Sequence, residues 1–118
     1  MHTAAFVLVA TVALLHVWFF VLESFLWRGP VGRKAIGMSA EQAEATHVLA
    51  MNQGVYNLFL SAGLVWALFS GALFVPLATF FLCCVAVAGI VGAVTANPRI
   101  LVLQTVPAGL ALVALLLS

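Results

Sequence analysis

Residues 3–27 read TAAFVLVATVALLHVWFFVLESFLW, and in that run only His16 and Glu23 carry an ionisable side chain. A helix crosses the hydrocarbon of a bilayer with about 20 predominantly apolar residues, so this stretch predicts a membrane span. Its start lacks the Lys and Arg of a secretory leader. Its apolar part also exceeds the roughly 7–15 residues of a signal-peptide core. The run is therefore expected to stay in the protein as a span. Three further apolar runs follow, at about 47–69, 73–96 and 100–117. Short punctuation separates them, Ser70-Gly71 and then Asn97-Pro98-Arg99. Pro98 suits a helix start, because its missing N–H falls among first-turn donors that lack partners anyway.

Composition says the same of the whole chain. Of 118 residues, 66% are hydrophobic and 6% charged, where a soluble domain carries about 25% charged residues. So few charges cannot coat a globule with solvated surface, which makes the lipid bilayer the first predicted partner. The expected fold class is all-α: a single polytopic four-transmembrane-helix bundle over residues 1–118. A formal net charge of +1 excludes the basic footprint of a nucleic-acid-binding domain. Cys83 and Cys84 are adjacent in an apolar run and point about 100° apart on a helix, so a disulfide between them would strain the backbone. No Cys or His stands at metal-ligand spacing from them, so no metal site is readable. No cofactor motif is present either.

The one substantial loop, 28–46, contains Gly29-Pro30, Gly32 and Gly37. Ser39 is its predicted N-cap, and Gln42 completes a capping-box pattern. A short amphipathic entry over Ala40–Ala45 should lead into the second span. All four basic residues fall in two loops: Arg28, Arg33 and Lys34 in this one, Arg99 in the last. In a four-span protein those loops share a side, and the positive-inside rule makes that side cytoplasmic. Both termini are then on the outer side, and Trp27 stands where an interfacial anchor would. His2 and His47, near helix ends, are also read as interfacial.

Polar residues inside the spans are costly and mark function or helix-joining contacts. His16 and Glu23 are seven residues apart, nearly two turns, so they share a face with Trp27. On the second span Asn52, Gln53, Tyr56 and Asn57 cover an arc of roughly 140°, and Gly63 lies within it. Counted at about 1.5 Å per residue, His16 and Asn57 lie near the midplane. Glu23 falls about 10 Å toward the cytoplasm, near the level of Asn52 and Gln53. The two stripes would form one polar pocket opening to the cytoplasmic side. Gln104 and Thr105 enter the fourth span from that side, and Pro107 would free a carbonyl near Leu103. The plain alternative is packing, since amides joining spans contribute about 0.6 kcal/mol each. Span three adds a ridge of small residues, Ala88, Gly92 and Ala96 with Gly89 and Ala93 beside them, that lets helices approach closely. So thin a bundle predicts a homo-oligomer.

These residues carry a resemblance. His16-x6-Glu23-x3-Trp27, then Asn52-Gln53-Gly54-Val55-Tyr56-Asn57-x-Phe59-Leu60-x-x-Gly63-Leu64, then Gln104-x-x-Pro107, resemble the bacterial membrane family called domain of unknown function 1304. Gly32-Arg33-Lys34 resembles it too, and the likeness covers essentially the whole chain. Ile36 departs from the family, where Phe is common, and so does Leu58, where Gly is common; neither touches the polar stripe. The resemblance implies a bacterial cytoplasmic-membrane protein and transfers no activity. A weaker likeness is to the membrane-associated eicosanoid and glutathione metabolism family, which is similar in its four spans and polar second helix. Only Asn57 of the family's N-x-x-E-N segment matches outright and the family's Arg and Glu are absent, which puts a glutathione site in doubt.

Three functions compete. In the first, a pocket binds or converts a small lipophilic or amphipathic ligand. Glu23 would be its acid or base, with His16 as partner, and Asn52, Gln53, Tyr56, Asn57, Trp27 and Gln104 would line it. In the second, His16 and Glu23 form a proton or cation path in a small transporter or channel. The third is a membrane scaffold subunit with the stripe as glue. Nothing in the residues decides whether the chain is an enzyme.

Overall fold

The structure, a computed structural model, describes residues 2–118, with the side chain of His2 outside that description. Among the described residues it is all helix and turn, with no strand. The helices are α1 (His2–Val21), α2 (Pro30–Ile36), α3 (Ala40–Leu68), α4 (Phe74–Thr95) and α5 (Val106–Leu117). Two turns are widened to π-helical geometry, Leu22–Leu26 after α1 and Leu101–Thr105 before α5. Three segments are long and apolar enough to cross a membrane: Thr3–Leu26, Ala40–Leu68 and Gly71–Thr95. The last apolar helix, Leu101–Leu117, is shorter; at 1.5 Å per residue it reaches about 26 Å, the lower end of what spans hydrocarbon.

Several boundaries have a local cause. Ser39 and Gln42 form the expected capping box: Ser39 N–H donates to Gln42 Oε1 at 2.9 Å and Gln42 N–H to Ser39 Oγ at 3.1 Å. From there α3 runs without a break, so the short entry helix and the span are one element. Ser39→Ala should cost about 1 kcal/mol, measured as a fall in the unfolding midpoint in detergent with the helical content at low temperature unchanged. The α4–α5 turn is built on Asn97, whose side-chain Oδ1 accepts from Arg99 N–H at 2.9 Å. Helical backbone resumes at residue 99, directly after Pro98. Pro107 lacks an N–H and crowds the preceding turn, and the wide turn ending at Thr105 provides the extra room.

One helix was not legible in the sequence. Within the 28–46 loop, Pro30–Ile36 is helical, with Pro30 in its first turn. Gly37 ends it at φ 79°, and the N–H groups of Gly37 and Met38 converge on the Arg33 carbonyl at 2.8 and 3.0 Å. That left-handed cap is glycine's usual role.

The chain falls into two compact units, 16–59 and a second made of the residues up to 15 together with 60–118. The second holds the apolar core, in which Val9, Val12, Leu64, Leu82 and Val85 are almost wholly buried. There Ser61 Oγ donates to the Ala13 carbonyl at 2.9 Å. Two of its glycines serve contacts within the unit. Gly89 is buried beneath Gln104 and Thr105, where a Cβ would lie 2.9 Å from Gln104 Cβ, and Gly92 faces Ile100. Ala88 and Ala96 of the same ridge stay exposed.

Candidate functional site

The 16–59 unit is a hairpin: the end of α1 with its wide turn, then α2, then the first two-thirds of α3. The side of α3 turned inward carries Ala43, Ala50 and Gly54, all buried. At 100° per residue these share one face, and their small size lets the backbones approach. A Cβ on Gly54 would stand 3.2 Å from the Phe20 carbonyl oxygen and 3.3 Å from Glu23 Cβ. Glu23 is thereby held directly opposite Gly54.

Glu23 sits on the wide turn, and the Asn57 amide donates to its Oε1. Both side chains are half-buried. A carboxylate accepts several donors, so Asn57 occupies one oxygen and leaves acceptor capacity on the other. Ser24 Oγ, the next residue, is buried with no hydrogen-bond partner among the described residues. Toward the loop, Trp27 Nε1 donates to Thr46 Oγ1 at 3.0 Å, and Thr46 Oγ1 donates to the Gln42 carbonyl at 2.7 Å. Beyond it Arg28 meets Glu44 at 3.3 Å, both exposed, a pair that adds little. His47 lies 3.8 Å from the same carboxylate.

The predicted residues divide. Glu23, Asn57 and Trp27 lie on the α1–α3 seam. His16 is fully buried, its ring edge-on to Phe19 at 5.1 Å, and lies about 10 Å along the helix from Glu23. Asn52, Gln53 and Tyr56 are exposed. The arc these three make with Asn57 is wider than a helix contact, and only its Asn57 edge turns inward. Asn57 stands about 40° from Gln53, 100° from Tyr56 and 140° from Asn52. Glu23, placed by counting at the level of Asn52 and Gln53, instead reaches up to Asn57. Gln104 belongs to the other unit, half-buried beside Gly89. A cavity of about 350 Å³ also lies in that unit, lined by Phe6, Leu68, Gly71, Ala72, Phe74 and Val75, none of them a predicted residue.

Thr46, Ser24 and Gly54 are seam residues that sequence reasoning missed. The signal for Gly54 was present: the small residues 43, 50, 54 and 61 share one side of α3, the side where another helix can lie.

The family model described as "Protein of unknown function (DUF1304)" matches residues 10–116. The chain belongs to the DUF1304 family. The match takes in both wide turns and the whole Glu23–Asn57 seam. An uncharacterized protein, YpaA, of Lactococcus lactis subsp. lactis (strain IL1403) is 29% identical over 109 residues, 91% of this chain and 89% of its own length. No solved structure matches. The DUF1304 assignment accounts for the pattern from His16 to Pro107 without adding an activity to it.

Proposed function

We propose that this DUF1304 protein is an integral membrane protein of four spans, with both termini outside and the 28–46 segment cytoplasmic. Within it the Glu23–Asn57 pair binds the polar end of a small amphipathic molecule. The observation that carries the reading is the pair itself: a carboxyl and an amide joined at a wide turn inside a run that is otherwise long and apolar enough to cross a membrane. Ionisable groups at such depth face protein or ligand rather than lipid, and widened helical turns recur at functional sites. The spare carboxylate oxygen suits a ligand with a hydroxyl, amide or ammonium donor, while the surrounding apolar side chains suit its tail. Gln53, nearest to Asn57 among the exposed polar residues, borders the site.

Native mass spectrometry of the gently extracted protein should find one small molecule bound per chain. Glu23→Gln keeps the size of the side chain and changes its charge and hydrogen-bonding, so it should release most of that molecule with folding intact. Retention at the wild-type level would remove Glu23 from the site. A second reading, a proton or cation path, draws on the full burial of His16 two turns from Glu23. It predicts that Glu23→Gln abolishes proton flux in vesicles while bound mass stays the same.

A further inference from the structure

The outward side of α3 carries a pattern that the Glu23 site does not use. Leu49, Asn52, Tyr56 and Phe59 follow one another at intervals of three, four and three residues. Over these eleven residues that is the spacing of a helix–helix seam. All four are exposed, Leu49 at 67%, Tyr56 at 61% and Phe59 at 60%. Tyr56 and Phe59 stand edge to face, ring centroids 6.3 Å apart, so the stripe holds a preformed aromatic block beside an amide.

We infer that this stripe is the interface between two copies of the chain, paired along α3 about a two-fold axis with Asn52 meeting its own counterpart. The inference rests on the reading of α3 as a membrane span. An apolar partner or lipid could cover Leu49 and Phe59 but would leave the donors and acceptor of Asn52 unsatisfied, and hydrocarbon offers no water to replace them. An amide is both donor and acceptor, so it is complementary to itself. Copies inserted in the same sense present this helix in parallel, so a two-fold axis along the membrane normal sets each Asn52 beside its own counterpart. A polar residue at a single seam position sets register in such pairs, which is the role assigned to Asn52. Asn57 faces the other way and is spent on Glu23, so the pairing leaves the Glu23 site intact.

Single cysteines test this in a Cys83→Ala/Cys84→Ala background, oxidised in native membranes. Leu49→Cys and Phe59→Cys lie on the stripe, and Met51→Cys is an exposed position about 120° or more from its middle. Disulfide-linked dimer is expected at 49 and 59 at several times the yield at 51. Equal yields at the three positions, or the highest yield at 51, would overturn the interface. Native mass spectrometry of the unsubstituted chain gives a check free of mutation, with two copies expected and a monomer contradicting it. Alkaline extraction separates the two levels of failure. A chain that stays in the membrane without cross-linking loses the interface alone, whereas one that leaves the membrane loses the span reading and the interface with it.

Discussion

Gly32→Ala is expected to detach α2 from the end of the first long helix and to destabilise the 16–59 unit by about 3 kcal/mol, the upper part of the range for overpacking. The reason is the nature of the obstacle. Gly32 is buried, and a Cβ there would overlap the Leu26 carbonyl oxygen and lie 2.7 Å from both Leu26 C and Trp27 Cα. Those are backbone atoms, so no rotamer change makes room. Gly29→Ala is the control: three residues away, its Cβ would meet the Leu26 carbonyl oxygen at an ordinary 3.7 Å, and its φ of −82° suits alanine. Thermal unfolding in detergent should show a large drop for Gly32→Ala and almost none for Gly29→Ala. Equal midpoints would mean that α2 does not dock where the structure puts it.

Asn57→Leu should be the most damaging single change at the site. It leaves the Glu23 carboxyl half-buried without the amide that satisfies Oε1, and stranding a polar group in this way costs about 1–3 kcal/mol, more if the group is charged. Replacing both partners by apolar side chains removes the orphan together with its partner, and such double replacements are often neutral or stabilising. E23L/N57L is therefore expected to unfold near the wild-type midpoint while Asn57→Leu unfolds well below it. That order separates a pair kept for function from a pair kept for cohesion. If the double variant were as unstable as the single one, the pair would be holding the helices together.

Much of this molecule could be read from its sequence, and the parts that could not share a cause. The long helices follow from runs of apolar residues, a property of each segment alone. The capping box at Ser39 and the turn at Asn97 are equally local. Helix α2 escaped because seven residues containing Pro30 and Gly32 show no readable period, and Gly32 is explained only by the backbone it touches across the turn. Pro107 pointed to a freed carbonyl near Leu103 but not to the wide turn at Leu101–Thr105, and nothing in the order of residues 22–26 marks theirs. At the site, the polar character of α3 was plain from Asn52, Gln53, Tyr56 and Asn57, and so was the charged stripe of α1. Which edge of a 140° arc faces α1 depends on tertiary packing. The line of small residues through Gly54 decides it, turning Asn57 inward and Asn52 and Tyr56 outward.

Glu23 and Asn57 are proposed to hold a molecule rather than the fold. Native mass spectrometry of the wild-type chain beside E23L/N57L, extracted in parallel from the same membranes, decides between the two. One small molecule is expected per wild-type chain, with a folded double variant that carries none. The same molecule on both, at the same stoichiometry, would contradict the proposal.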